Sequence, residues 1–264
     1  MRRNKVLLSF DIEEFDFPRE RGEDISVDEG VKISSRGVES ILDVLSKNSV
    51  RGTFFVTGNF AKTNPRLVRK IKSLGHEVAC HGVDHFKPAK TDPSRSKKIL
   101  EETIGTKVVG YRQPRMFEID KAELRRQGFL YDSSLNPAFI PGRYNNFSTP
   151  RKLFWDNGII EVPTSAATVF RIPLFWLALH NFPKAAYLGL AKSTLKRQGY
   201  FTTYFHPWEF TDFDKWPVPW YIRRNSGEKL KSRLDWLIRE LKKTKADFLT
   251  YQEFLKEWQD ENKK

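Results

Sequence analysis

At 264 residues with 39% hydrophobic content, the chain suffices for one α/β barrel or two small domains and can bury a sizeable core. A formal charge of +13 attracts polyanions, but the basic residues are dispersed and no RNA-recognition, zinc-finger or helix-turn-helix signature accompanies them. The first reading is a solvated basic surface, helped by Lys242, Lys243, Lys245, Lys263 and Lys264, and no specific nucleic-acid partner is expected. The single cysteine, Cys80, excludes an internal disulfide framework and fits a reducing compartment.

The N-terminal Met1-Arg2-Arg3-Asn4-Lys5 has the charge of a signal-peptide n-region, but Val6, Leu7 and Leu8 run straight into Ser9 and Asp11 without a small-residue cleavage site. It reads as the mature first strand of a cytoplasmic protein. That strand covers Lys5–Asp11. A helix follows at Gly37–Leu45, with Val38, Ile41, Leu42 and Leu45 on one stripe. Thr53–Thr57 is a second strand, Pro65–Leu74 a helix stopped by Gly75, and His76–Cys80 a third strand. Asp92-Pro93 starts a helix reaching about Ile104. Lys107–Tyr111 is the fourth strand, Ile119–Gln127 a helix, and Leu130–Asp132 the fifth strand. Ile159–Val162 and Tyr200–Phe205 are the sixth and seventh. A helix at Lys229–Lys242, a short strand at Phe248–Thr250 and a last helix end the chain.

This alternation predicts a parallel sheet, and the length favours a closed or nearly closed barrel over an open sheet, with residues 1–264 forming a single domain. The chemically active side chains fall at predicted C-terminal strand ends: Asp11, Glu13, His81, Arg112, Asp132 and His206. In βα barrels that rim is where active sites assemble. His81 and His85, four apart, are expected on one side of a helical turn, close enough to share a divalent ion. With the carboxylates of Asp11 and Glu13 they make a hydrolase's equipment. Taken one at a time, a solvated histidine pair, a surface salt bridge at Arg112 and a packed core histidine at His206 would be the commoner explanations.

Five segments carry a family resemblance: Phe10-Asp11-Ile12-Glu13, His81-Gly82-Val83-Asp84-His85, Arg112-Gln113-Pro114, Tyr131-Asp132-Ser133-Ser134 and Tyr204-Phe205-His206-Pro207-Trp208-Glu209. In this order they resemble the motifs of the polysaccharide deacetylases, the fourth carbohydrate esterase family. The resemblance implies a distorted (β/α) barrel of about seven strands with its active site at the C-terminal rim. It also implies a divalent metal (zinc, or cobalt or another divalent ion) held by Glu13, His81 and His85. Asp11 matches the general base, Arg112 the arginine that pairs with it, and His206 the general acid; Asp132 is assigned to orienting His206. The backbone N–H of Arg115 would complete the oxyanion hole.

The chain departs from the common family form. Its first-motif carboxylates alternate rather than adjoin, which still puts both on one face of a strand. Gly82 replaces a serine or threonine, and Arg115-Met116 replaces a tyrosine-glycine pair. With Glu161-Val162-Pro163, this combination is similar to a bacterial subgroup linked to exopolysaccharide and lipid-linked glycan assembly. The implied activity is removal of acetyl groups from N-acetylated sugars of a surface polysaccharide or its lipid-linked precursor. The alternatives are a metal-independent amidohydrolase of the allantoinase-like branch and an inactive glycan-binding barrel.

Glu14 is expected on the opposite face and Asp16 beyond the strand end. His76 is expected to be structural, Asp84 a solvated loop residue, and His180 is unassigned. The apolar segment Phe170–Leu179 is read first as a loop and helix covering the core, and second as a shallow contact with an anionic membrane at the inner face. Trp208, Phe210, Phe213, Trp216, Trp220 and Tyr221 are expected to stack on sugar rings or to pack the barrel end.

Overall fold

The computed structural model describes residues 3–89, 92–140, 144–168, 170–212 and 216–262; Phe213, Lys263 and Lys264 lie outside them. Alternation along the first strand, β1 (Lys5–Ile12), sets the layers. Val6, Leu8, Phe10 and Ile12 join one apolar cluster with helix residues such as Val38 and Ile41, whereas Leu7 joins a second cluster on the opposite face. Ser9 and Asp11 share that inner face with Leu7.

Next come α1 (Val27–Lys47), β2 (Thr53–Val56), α2 (Gly58–Thr63), α3 (Pro65–Ser73), β3 (Glu77–Cys80) and α4 (Asp92–Ile104). They are followed by β4 (Gly110–Tyr111), α5 (Lys121–Arg126), β5 (Tyr131–Asp132) and a small hairpin, β6 (Phe139–Ile140) with β7 (Tyr144–Asn145). The remaining elements are β8 (Phe154–Asp156), β9 (Ile159–Glu161), α6 (Trp176–Asn181), α7 (Lys184–Gln198), β10 (Tyr200–Phe205), α8 (Trp220–Arg223), α9 (Glu228–Lys242), β11 (Asp247–Phe248) and α10 (Tyr251–Asn262).

The main sheet runs β10-β1-β2-β3-β4-β5-β9-β8, parallel throughout except where β8 turns back on β9. β11 pairs with the first two residues of β1, and β2 with the last four. The sheet curls into a half-barrel, and among the described residues its ends, β10 and β8, do not pair; the distorted barrel stands, its closure does not. α10 sends Tyr251, Phe254 and Leu255 into the inner cluster with Leu7, Phe55 and Tyr131.

Two local expectations fail for identifiable reasons. α1 begins at Val27, ten residues before Gly37, because the Ser26 side chain caps the helix by accepting from Glu29 N–H. Gly37 sits inside that helix where a Cβ would lie 1.8 Å from the Pro207 carbonyl oxygen, so the helix can approach the 206–210 segment only through a glycine. The segment between His81 and His85 is a loop rather than a helical turn: Gly82 has φ +68° and passes against Pro114.

Candidate active site

Glu13, His81 and His85 converge although they come from two loops. Their ligating atoms lie within 4.8 Å of one another. Glu13 Oε2 is 2.8 Å from His85 Nε2 and 3.7 Å from His81 Nε2, yet it is buried and takes no hydrogen bond of good geometry. Its other oxygen, Oε1, accepts from the Trp208 indole N–H at 3.0 Å. Each histidine is turned by its Nδ1: His81 Nδ1 is 2.8 Å from the Arg112 carbonyl, and His85 Nδ1 is 2.8 Å from Asp16 Oδ2. Both Nε2 atoms therefore face Glu13 Oε2. Imidazoles oriented by outer acceptors around an unsatisfied carboxylate oxygen fit a divalent cation. Without one, burial opposes the charge of Glu13, but His85 and His206 outweigh it and hold the carboxyl well below its usual range. For His85, burial is likewise outweighed by Glu13 and Asp16, and its pKa is well raised.

Asp11 lies beside this cluster on the inner face. Arg112, with no solvent exposure, donates from Nη1 to Asp11 Oδ1 at 2.5 Å. Its other donors reach Ser9 Oγ, the Ser133 carbonyl and hydroxyl, and Tyr251 OH. The guanidinium lies 4.1 Å from the Phe55 ring centroid. Asp11 thus has a fixed partner held from four directions.

His206 follows β10. Its partner is not Asp132 but Glu209: His206 Nδ1 lies 2.6 Å from Glu209 Oε1, which also accepts the His206 backbone N–H at 2.8 Å. Burial opposes the charge of His206, but Glu13 and Glu209 overcome it and lift the pKa to about 9. Asp132 is turned away. Its oxygens bind Lys121 Nζ and Ser134 Oγ, and Lys121 also reaches Glu161 Oε2 at 2.6 Å. The reason is strand alternation: Tyr131 takes the inner face of β5, so the Asp132 side chain enters the buried cluster with Glu161 of β9 and not the cavity.

Asp11, Glu13, His81, His85 and His206 line one cavity of about 600 Å³. Its lining includes the apolar side chains of Phe17, Phe117, Trp176, Leu177, Tyr221 and Ile222 beside the charged Glu20, Arg21 and Arg115. Arg115 and Met116 both have positive φ, 59° and 52°, where the third motif enters the wall. The Arg115 side chain ties this loop across to Glu20 and to the His85 carbonyl. In the segment from Phe170, Leu174, Phe175 and Leu179 are buried and Phe175 joins the cavity wall, as the core-covering reading expects, while Phe170 is exposed. Among the described residues, no helix is long and apolar enough to cross a membrane.

Asp16, taken only as a residue beyond the strand, in fact orients His85. Glu14 is buried against Thr57. His76 is structural, accepting the Gly52 N–H, and Asp84 accepts from Lys87 N–H and Asn59. Trp208, expected to stack on a sugar ring or to pack the barrel end, donates to Glu13, and Tyr251, Glu209 and His180 are contributors to which the sequence assigns no role. Of these only Glu209 had a local signal, since His206-Pro207-Trp208-Glu209 has the spacing of a capping box with proline at the first helical position.

Residues 4–123 match the family model for polysaccharide deacetylase. The peptidoglycan-N-acetylmuramic acid deacetylase of Bacillus subtilis is 30% identical over 172 residues, 61% of each chain. A peptidoglycan deacetylase-like protein of Gibberella zeae is 32% identical over 119 residues, 40% of this chain and 35% of the relative. The chain thus spans less than two thirds of either relative's length. Over 45 residues, 17% of this chain and 21% of the relative, it is 49% identical to a chitooligosaccharide deacetylase of Sinorhizobium fredii. Among solved structures, a polysaccharide deacetylase of Mycobacterium smegmatis described as putative superposes with a TM-score of 0.59 at 23% identity, over 89% of this chain and 83% of that one. A CE4 family pseudoenzyme of Bacillus anthracis superposes with a TM-score of 0.55 at 13% identity, over 95% and 65%. These two likenesses show the fold.

Proposed function

Because the chain belongs to the polysaccharide deacetylase family, we propose that it is a metal-dependent hydrolase removing acetyl groups from N-acetylated sugars of a bacterial surface polysaccharide or its lipid-linked precursor. The observation that carries the metal dependence is Glu13 Oε2, buried without a hydrogen bond and faced by two Nε2 atoms. A divalent ion held by Glu13, His81 and His85, zinc on the chemistry of these donors, would polarise the acetyl carbonyl and acidify a water.

The remaining work falls to this chain's own groups. Asp11 takes the proton of the attacking water, and Arg112 keeps its carboxylate in place without relying on solvent. The Arg115 backbone N–H supports the developing oxyanion. His206 gives the proton on Nε2 to the departing amine nitrogen while Glu209 holds Nδ1. The relatives named for chitooligosaccharide and N-acetylmuramic acid deacetylation support the substrate class. Phe117 and Tyr221, exposed yet lining the cavity mouth, support an apolar group such as a lipid carrier next to the sugar.

The test is acetate release from N-acetylated oligosaccharides and lipid-linked acetamido sugars by zinc-loaded protein. Activity lost to a chelator and restored by zinc or cobalt is the expected result. Acetate release that ignores chelation would overturn metal dependence, and no release from any N-acetylated sugar would overturn the substrate class.

A further inference from the structure

His206 is fixed by more than its own loop. Trp208 stacks on the imidazole with centroids 5.2 Å apart and planes at 14°, and Tyr204 and Trp176 meet it edge-on at 5.7 and 5.5 Å. Glu209 takes the backbone N–H and Nδ1 of His206 on one oxygen, Oε1. Its other oxygen, Oε2, lies 3.0 Å from His180 Nε2. Glu209 and His180 are both entirely buried, so their contact is closed to bulk solvent. His180 lies in α6 four residues after Trp176, and one helical turn therefore supplies both an edge-on ring for His206 and an anchor for its carboxylate. α6 is itself held: Asn225 Nδ2 donates to the His180 carbonyl at 2.5 Å, and Asn181 Nδ2 to the Tyr221 carbonyl at 2.9 Å.

We infer that His180 is a positioning residue for His206, acting through Glu209. By donating from Nε2 to Glu209 Oε2 it locks the carboxylate in the rotamer whose Oε1 accepts from His206 Nδ1. That bond keeps the Nδ1 hydrogen in place and turns Nε2, the atom that exchanges its proton, to the cavity. Without the His180 donor, Glu209 Oε2 is buried and unpaired, and the carboxylate must rotate to find another partner at the expense of His206. A histidine that only filled space would make no such bond. The inference rests on the acid role proposed for His206, but the atomic arrangement it describes does not depend on the substrate.

The test uses zinc-loaded full-length protein with His180→Leu, which removes the donor, and His180→Gln, which keeps an N–H donor. Metal content, kcat and KM on an N-acetylated oligosaccharide, and ring 15N NMR signals of His206 are compared with wild type. The expected result is unchanged zinc content with kcat at least tenfold lower and KM within twofold in His180→Leu. The His206 signals should move away from the Nδ1–H form, and His180→Gln should recover most of both losses. Equal kcat in the two variants, or wild-type His206 signals in His180→Leu, overturns the inference. If His180→Leu does not fold, His180→Phe, which fills the site with a ring but offers no donor, replaces it, and wild-type His206 signals in that variant would again refute the arrangement. A wild type inactive on every N-acetylated sugar would sink the proposed function while the NMR comparison still decides this one.

Discussion

Replacing Arg112 with methionine probes the buried pair at the base of the site. The guanidinium has no exposure and its closest partner, Asp11 Oδ1 at 2.5 Å, is 3% exposed as a residue. Methionine keeps much of the stem against Phe55 but leaves the Asp11 carboxylate buried without its counter-charge. Breaking a buried pair from one side costs about 3–5 kcal/mol, far more than an exposed pair would. At roughly 2–4 °C per kcal/mol for a chain of this size, the melting temperature should fall by about 6–20 °C. Asp11→Asn combined with Arg112→Met removes the stranded charge and should recover at least half of the loss, as a double-mutant cycle would reveal. Urea unfolding followed by far-UV circular dichroism measures Arg112→Met, Asp11→Asn and the double variant. If Arg112→Met costs less than about 1 kcal/mol, or if the double variant is no more stable than the single one, the pair is not the buried, mutually dependent unit described here.

Three further changes test neighbouring parts. Asp16→Asn removes the carboxylate that holds His85 Nδ1 while leaving all three ligands, and should weaken zinc affinity roughly 10–100-fold in a chelator competition; unchanged affinity would contradict the orienting role. Burial raises the Glu14 carboxyl to about 7 against the hydrogen bonds from Thr57 and the backbone, so folded Glu14 keeps its proton where the unfolded chain, at 4.5, has lost it. Its contribution is fully present below pH 4.5 and is lost as pH rises to about 7, a loss of about 3 kcal/mol at 1.36 kcal/mol per pH unit. Glu14→Gln should therefore stabilise metal-free protein at pH 8 and not at pH 4, and an equal effect at both would rule this out. Gly37→Ala places a Cβ 1.8 Å from the Pro207 carbonyl and should cost about 1–3 kcal/mol while lowering kcat by displacing His206; wild-type kcat would show that the contact is slack.

The parallel strands were legible because each is a short apolar run ending in a polar residue, and the rim could be read from those ends. Asp11 and Glu13 were legible through alternation, and the structure puts both at the cavity. The four-residue spacing of His81 and His85 suggests a helical turn, whereas a left-handed glycine and a loop bring them together. α1 was read short because Gly30, Ser34, Ser35 and Gly37 depress helix propensity, and only the tertiary approach of Phe15 and Pro207 explains the two glycines. Asp132 was misassigned because a strand-end carboxylate gives no sign of which face it enters. The contacts of Asp16 with His85, Tyr251 with Arg112 and His180 with Glu209 bridge 69, 139 and 29 residues. No local pattern reports such pairings.

Metal content of protein purified without a His-tag, with His81→Ala beside it, decides whether Glu13, His81 and His85 form a metal centre. About one zinc or similar divalent ion per chain in the wild type, lost in the variant, is the expected result. A wild type that is empty and does not take up added zinc would contradict it and leave Glu13, His81 and His85 as a buried hydrogen-bonding cluster.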